Sequence, residues 1–350
     1  MVTIKVSVST KYEVKVGQGL LGALGQEAAA VIPGRAAVIV SDSNVWTQYG
    51  KMATVSLEQA GFQVHAFVME AGEASKNGEN YLKLLEFLAE KGVSRADCLV
   101  ALGGGVVGDL TGFAAATYLR GVAYIQVPTT LLAMVDSSVG GKTAINLTAG
   151  KNLAGAFYQP KLVLCDISTL DTLPQAVFTE GCAEVIKYAV LYDAALFAHL
   201  EEQGPDFHRE QVIAQCIEWK KRAVTEDEFD FGSRRMLNLG HTIGHSIEKC
   251  SDYTISHGAA VAIGMSIIAR SAAAKGLSPR NDCQRITALL AQFGLPTATQ
   301  LPLETLIQQA FSDKKRSGYT ITLVFPATIG CGKLMEMPIS QLEHFVKEGM

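Results

Sequence analysis

Three of the seven histidines of this chain fall close together, as His241, His245 and His257. His241 and His245 are four residues apart, so a helix would stack them on one face. A carboxylate stands in a comparable setting upstream, in Glu180-Gly181-Cys182-Ala183-Glu184-Val185-Ile186-Lys187. Two imidazoles and a carboxylate suffice to bind a catalytic divalent metal with an open position. A lone histidine is more often a packed structural residue, but three among glycines read as a functional cluster. A second stretch, Leu102-Gly103-Gly104-Gly105-Val106-Val107-Gly108-Asp109, is built to approach a phosphate or dinucleotide. Together they point to redox chemistry at a carbon bearing a hydroxyl.

Gly103, Gly105 and Gly108 satisfy G-x-G-x-x-G after a strand, where missing side chains let the backbone near a pyrophosphate and a helix N-terminus offers N–H donors. The match departs from the common dinucleotide fingerprint. It does not follow the first strand, and no carboxylate about 20 residues downstream holds a ribose. Asp42 or Glu73, both earlier, are the candidates for that role. Asp136-Ser137-Ser138-Val139-Gly140-Gly141-Lys142-Thr143 is similar to half of a phosphate loop but lacks its first glycine. Lys142, Lys151 and Asn152 around glycine turns suit a small anionic substrate, although each lysine alone reads as surface. Glu184 and Lys187 are three apart in an apolar helix, and a buried carboxylate needs a partner or a metal. Arg234, Asn238 and His241, spaced by four and three, can line one helix face. Lys220 and Asp313-Lys314-Lys315 would add positive charge.

Elements must hold these groups in place. Ala36 to Val40, Phe62 to Met69, Cys98 to Leu102 and Val122 to Pro128 read as strands, separated by helical stretches such as Tyr81 to Lys91. That alternation predicts a parallel α/β sheet whose ligands lie beyond the carboxyl ends of the strands, where Asp42, the Gly103 cluster, Thr129 and Thr130 fall. Met1 to Val16 alternates as one strand and lacks the apolar run of a signal peptide. Beyond Asp171 the spacing turns helical: Ala176 to Tyr192, Gln211 to Val224, His241 to Lys249, Ala259 to Lys275 and Asn281 to Phe293. Leu170 to Pro174 is the expected hinge, and Tyr319 to Val324 a late strand. The expectation is an α/β domain over residues 1–172 and a mainly helical one over 173–350, with the site between them.

At 350 residues there is room for about two domains. A hydrophobic share of 48% with 18% charged residues is that of an ordinary globular chain. A net charge of −4 argues against a nucleic-acid binder, so any anionic ligand must meet locally placed Lys and Arg. Seven scattered cysteines without C-x-x-C fit free thiols in a reducing cytoplasm. No stretch approaches the ~18 uninterrupted apolar residues of a membrane span.

The motifs, in their order, place the chain by resemblance. Gly72-Glu73-Ala74-Ser75-Lys76, Gly103 to Asp109, Tyr118-Leu119-Arg120-Gly121, Pro128-Thr129-Thr130-Leu131-Leu132, Asp136 to Thr143, Gly150 to Gly155, Ala183 to Lys187, Leu237 to His245 and His257-Gly258 are similar to the motifs of the 3-dehydroquinate synthase family, within the sugar-phosphate cyclases. The resemblance implies a Rossmann-like nucleotide-binding domain followed by an all-α metal- and substrate-binding domain. It implies a zinc or cobalt ion on Glu184, His241 and His257. It implies NAD against Asp42, Glu73, Lys76, Gly105, Val106, Val107, Gly108, Asp109, Thr129, Thr130, Lys142, Lys151, Thr169, Leu170, Asp171 and Thr172. The implied substrate is 3-deoxy-arabino-heptulosonate 7-phosphate, surrounded by Asp136, Lys142, Asn152, Lys187, Lys220, Arg234, Asn238, His245 and Lys314. His245 is the best candidate for proton relay. Arg120 matches a residue that reaches the phosphate from a neighbouring subunit, which implies a homodimer. The implied enzyme is a cytoplasmic carbon–oxygen lyase of aromatic amino-acid biosynthesis by the shikimate pathway.

Four positions depart from the family pattern: Asp230 for glutamate, Phe229 for arginine, Met134 for glutamine and Ala259 for glutamate. Three rival readings stand beside it. One is another sugar-phosphate cyclase acting on sedoheptulose 7-phosphate or glucose 6-phosphate. Another is a metal-dependent polyol dehydrogenase, against which Tyr188 counts because a histidine is usual there. A third is a non-catalytic nucleotide-binding regulator.

Overall fold

The computed structural model describes residues 1–314 and 320–350, with backbone alone at residues 312–314. The described chain forms two compact units: Met1–Pro174 with Arg209–Phe229, and Gln175–His208 with Asp230–Met350.

In the first unit, Val2–Ser7 (β1) and Lys11–Gly17 (β2) form an antiparallel hairpin. The sequence reading expects one strand over Met1 to Val16. Apolar–polar alternation runs on through the reversal at Val8-Ser9-Thr10, so periodicity conceals the turn. There follow Leu24–Val31 (α1), Ala36–Asp42 (β3), the single turn Ser43–Val45 (α2), Lys51–Gln59 (α3), Gln63–Met69 (β4), Gly78–Glu90 (α4), Cys98–Gly103 (β5), Gly105–Thr117 (α5), Ala123–Pro128 (β6), Lys142–Leu147 (β7), Gly150–Phe157 (β8) and Leu162–Asp166 (β9). Seven strands make a sheet in the order β1-β2-β9-β6-β5-β3-β4, parallel except for the β1–β2 pair. The hairpin β7–β8 stands apart from it.

Alternate residues of the central strands feed two apolar layers. Ala37, Ile39, Val100, Leu102, Ile125 and Val127 pack with Leu24, Ala28, Ala53 and Leu57 of α1 and α3. Val38, Val40, Leu99 and Ala101 pack with Leu84, Leu88, Val107 and Leu110 of α4 and α5. Both faces are covered, which is why these strands read as continuous apolar runs. Truncating such a leucine to alanine costs about 2–5 kcal/mol. β3 pairs with β4 on one side and β5 on the other, so the strand order reverses between β3 and β5. Ligands in open α/β sheets settle beyond the carboxyl ends at such a switch point.

The second unit holds Gln175–Tyr192 (α6), Ala194–Gln203 (α7), His241–Cys250 (α9), His257–Ala274 (α10), Arg280–Gln292 (α11), Leu303–Lys314 (α12), Thr320–Thr328 (β10), Cys331–Pro338 (β11) and Leu342–Lys347 (α13). β10 supplies the expected late strand over its described part and pairs antiparallel with β11, so the second unit is mainly helical, as expected, with one hairpin. The intervening helix Arg209–Glu226 (α8) goes with the first unit, although the division at residue 172 assigns it to the second half. Its Lys220 Nζ lies 2.8 Å from Asp136 Oδ1, and the Met1 ammonium lies 3.0 Å from Glu210. These long-range partners are invisible to a reading of local periodicity. α10 is long and apolar enough to cross a membrane, with mean hydropathy 1.2, yet 72% of it is buried inside its unit. None of the seven cysteines is in a disulfide, and burial pushes the Cys98 thiol up to about 12.

Candidate functional site

In the second unit, α6 carries Glu184 in mid-helix with 1% of its surface exposed. A carboxylate so buried must be paired or metal-bound. Lys187 Nζ, one turn on, is in contact with Glu184 Oε2. His241 Nε2 lies 3.5 Å and His257 Nε2 3.7 Å from Glu184 Oε1. One ligand atom from each of Glu184, His241 and His257 falls within 4.8 Å of the others.

Glycines let these helices come that close. The short 3-10 segment Ser233–Asn238 ends at Leu239, and Gly240, at φ +78, caps the start of α9 at His241. A Cβ on Gly240 would lie 2.6 Å from Val261 O, and one on Gly258 2.3 Å from Glu180 O. α9 therefore seats on α10, and α10 begins against the main chain of α6 one turn before Glu184. The break at Gly240 corrects one expectation: Arg234, Asn238 and His241 do not share a continuous helix face. Arg234 is buried at 2% exposure and Asn238 is exposed.

His241 and His245 share a face of α9, with ring centroids 5.4 Å apart. His245 is exposed and falls into a second group with Glu248 and His257. Glu248 is buried at 4% exposure, and its Oε2 lies 3.3 Å from His257 Nδ1. Sequence reasoning gives Glu248 no role; the signal is an acid seven residues after His241, on the same helical face. Burial, then the Lys187 ammonium, drive the His241 imidazole down to about 3, so it is neutral at pH 7. Burial also pulls on His257, but the Glu184 and Glu248 carboxylates outweigh it and hold His257 up at about 9. Two imidazoles and a carboxylate that converge in this way fit zinc or cobalt with an open position.

In the first unit, β5 ends at Gly103 and α5 begins at Gly105 with Gly104 as its N-cap. A Cβ on Gly103 would meet Val107 at 2.6 Å, and one on Gly108 would meet Gln126 Oε1 at 2.8 Å, so these two glycines serve packing. Val107 is buried and Val106 partly so. Thr129 follows β6 and donates its N–H to Gly103 O at 3.0 Å. Its buried hydroxyl has no hydrogen-bond partner among the described residues; Thr130 is half-buried beside Gly104. Ser41 Oγ donates to Leu102 O at 2.8 Å and ties the ends of β3 and β5.

Beside this turn, Lys76 Nζ lies 2.9 Å from Asp109 and 3.3 Å from Glu73, while Asn146 Nδ2 donates to Glu73 at 2.7 Å. Burial works against the Lys76 ammonium, but Asp109 and Glu73 hold it above the ordinary lysine value. Asp42 Oδ1 accepts from the N–H groups of Asn44 and Val45 and so caps α2. Gly140 and Gly141, at φ 101 and 67, turn the chain into β7 at Lys142. A strand rather than a helix follows, which removes the likeness to half of a phosphate loop. Lys142 is exposed, Lys151 partly so, and Asn152 adopts φ 58 with its N–H on Asn146 Oδ1 at 2.9 Å. Asp136 pairs with the buried Lys220. Thr169 and Leu170 are buried, Asp171 and Thr172 exposed. Arg120 is exposed at φ 66 in the turn after α5. Lys314 has its side chain outside the described residues, as do Lys315 and Tyr319 entirely.

Of the departures, Met134 is buried, and Phe229 stands edge-on to Phe157 with ring centroids 5.4 Å apart. Asp230 takes φ 60. Ala259 lines a cavity of about 750 Å³ with Glu180, Ser256 and Thr299. Tyr188, where a polyol dehydrogenase would carry a histidine, is fully buried.

Two family models match in tandem: 3-dehydroquinate synthase N-terminal over residues 66–180 and 3-dehydroquinate synthase C-terminal over residues 181–316. A 3-dehydroquinate synthase of Streptococcus sanguinis (strain SK36) is 42% identical over 344 residues, covering 96% of this chain and 97% of its own. Among solved structures, a 2-deoxy-scyllo-inosose synthase complexed with carbaglucose-6-phosphate, NAD+ and Co2+ superposes with a TM-score of 0.89 at 26% identity, over 100% of both chains. A 2-epi-5-epi-valiolone synthase from Streptomyces hygroscopicus subsp. jinggangensis 5008, with NAD+ and Zn2+ bound, gives 0.89 at 26% identity over 99% of this chain and 97% of its own.

Proposed function

The chain belongs to the 3-dehydroquinate synthase family, and from that premise we propose which of its residues do which part of the work. The enzyme converts 3-deoxy-arabino-heptulosonate 7-phosphate to 3-dehydroquinate and inorganic phosphate, and it depends on NAD and one divalent metal. When bound, the metal supplies a Lewis acid for substrate hydroxyl oxygens and NAD a reversible hydride acceptor.

Glu184, His241 and His257 hold the metal. The observation that carries this reading is the convergence of their ligand atoms within 4.8 Å around a buried carboxylate. The nucleotide lies against the turn from Gly105 to Asp109, where the first N–H groups of α5 offer donors to a pyrophosphate. Thr129, Thr130, Lys142, Lys151 and Thr169 to Thr172 flank it, and Asp42, Glu73 and Lys76 complete its contacts. The unused Thr129 hydroxyl supports this placement.

With a net charge of −4, the chain must supply cations locally to hold a substrate bearing a carboxylate and a phosphate. Lys142, Lys187, Lys220, Arg234 and Lys314 do so, and Arg120 adds another from the partner of a homodimer. Arg234 and Asn238 suit the carboxylate, which favours this substrate over the sugar phosphates of other cyclases, which carry none. Asn152 orients hydroxyls. Asp136 is held in position by its pairing with Lys220. His245, the exposed imidazole beside His241 and His257, relays the proton between substrate and solvent. The enzyme works in the cytoplasm, in the shikimate pathway to aromatic amino acids.

The test is incubation of the purified protein with catalytic NAD, a divalent metal and 3-deoxy-arabino-heptulosonate 7-phosphate. Equal amounts of phosphate and 3-dehydroquinate without net NADH are expected, falling about a thousandfold in Glu184→Ala because Lewis-acid stabilisation is worth several kcal/mol. NADH accumulating on simple polyols would mean a dehydrogenase. Turnover of sedoheptulose 7-phosphate or glucose 6-phosphate instead would mean another cyclase.

A further inference from the structure

Glu248 is a buried carboxylate that the reaction as set out above leaves without a task. It lies on the face of α9 that carries His241 and His245, seven residues beyond the first. Its exposure is 4%, and its Oε2 lies 3.3 Å from Nδ1 of His257. The other nitrogen of that ring, Nε2, points at Glu184 Oε1 from 3.7 Å. One ring is thus held between two buried carboxylates, one on each nitrogen.

We propose that Glu248 is the positioning residue of the metal centre. It accepts the Nδ1–H of His257, fixes the tautomer whose lone pair is on Nε2, and turns that lone pair toward Glu184 and His241. The proposal rests on the reading that Glu184, His241 and His257 hold the metal. Metal-bound histidines need such a partner, because an imidazole that tumbles or adopts the other tautomer presents N–H rather than a lone pair.

The backbone around Glu248 supports the same task. Its carbonyl accepts from Tyr253 N–H at 2.7 Å and from Ser251 Oγ at 3.0 Å. Ser251 Oγ in turn accepts from Ile255 N–H at 3.3 Å. The connection from α9 to α10, with Asp252 and Tyr253 in left-handed conformations, is therefore pinned to the residue whose side chain orients His257. The main chain of Glu248 sets where α10 begins, and the carboxylate sets how its first side chain is turned. Substituting the side chain removes the second function and leaves the first.

Glu248 also adjoins His245, and His245, Glu248 and His257 form a second trio able to approach a cation. That trio uses His257, so it competes with the Glu184 centre. An Nδ1–H held by Glu248 closes it, because a protonated nitrogen cannot ligate.

The experiment is cobalt titration of the metal-free enzyme, read by the visible absorption of bound Co2+, in wild type, Glu248→Ala, Glu248→Gln, His257→Ala and the double variant His257→Ala/Glu248→Gln. Glu248→Ala should lower affinity roughly 10- to 100-fold and alter the absorption spectrum of the bound ion. Glu248→Gln, which keeps an acceptor oxygen for Nδ1–H, should recover most of the affinity and the wild-type spectrum. In the His257→Ala background Glu248→Gln should change nothing further, since the partner it orients is gone. Wild-type affinity and spectrum in Glu248→Ala, alongside weakened binding in His257→Ala, would overturn the proposal and leave the ligand assignment standing. Undiminished binding in His257→Ala would overturn the ligand assignment itself. Should Glu248→Ala fail to fold, a Glu248→Gln effect that persists undiminished in the His257→Ala background overturns the positioning role.

Discussion

Gly258 stands so close to Glu180 that a Cβ added to it would lie 2.3 Å from the carbonyl oxygen and 2.7 Å from the carbonyl carbon. The obstacle is backbone, which cannot swing aside as a side chain can. One neighbour of Gly258 is the candidate ligand His257, and Glu180 is one turn before the candidate ligand Glu184. The contact therefore sets how closely α10 seats on α6, and with it the opening between two ligands. Gly258→Ala should destabilise the protein by about 1–3 kcal/mol and weaken metal binding at least as much as a direct change at Glu248. Denaturation curves and zinc titration check this. Full metal affinity in a destabilised variant would show that the contact serves packing alone.

Lys76 and Asp109 form a partly buried pair beside the glycine turn, 2.9 Å apart. Lys76→Met leaves Asp109 with no cation, and breaking such a pair from one side costs about 3–5 kcal/mol. The double variant Lys76→Met/Asp109→Leu should recover most of that loss, because it removes the stranded charge as well. NAD affinity should stay low in both. Recovery of NAD binding together with stability would assign the pair to the fold rather than to the nucleotide.

Protons and metal compete for His257. Its folded value of about 9 lies above the ordinary 6.5, so in the metal-free protein the imidazolium stabilises the fold. That contribution is fully present below pH 6.5 and is lost as the pH rises through about 9. A metal needs the neutral ring. Metal uptake at pH 7 should then release one proton, and apparent affinity should climb with pH until it levels near 9. His241, driven down to about 3, has already lost its proton and adds nothing in that range. Calorimetry in buffers of different ionisation heat counts the protons. A pH-independent affinity between 6.5 and 9 would contradict the account.

The strands β3, β5 and β6 were legible because continuous Val, Ile, Leu and Ala runs follow from a sheet covered on both faces. The histidine cluster and Glu184 stood out because imidazoles are scarce and Glu184 sits in an apolar helix, while the choice of His257 over His245 as a ligand came only from the family resemblance. The β1–β2 turn was hidden by alternation that continues across it. The allegiance of α8 to the first unit comes from its packing against β1, β2 and the segment around Asp136, 84 residues from Lys220 in sequence, which no local pattern encodes. The helix break before His241 is written in Gly240, but spacing arithmetic through Arg234 and Asn238 passed over it. Glu248 escaped notice because an acid in an amphipathic helix ordinarily faces water, and only the fold of α10 back onto α9 shows that it meets His257.

The most direct test of the metal centre is anomalous diffraction from crystals of the zinc- or cobalt-loaded enzyme, with data collected on both sides of the metal edge. One peak per chain is expected, roughly 2.0–2.2 Å from a Glu184 oxygen and from Nε2 of His241 and of His257. A peak among His245, Glu248 and His257, or none near Glu184, would contradict the account.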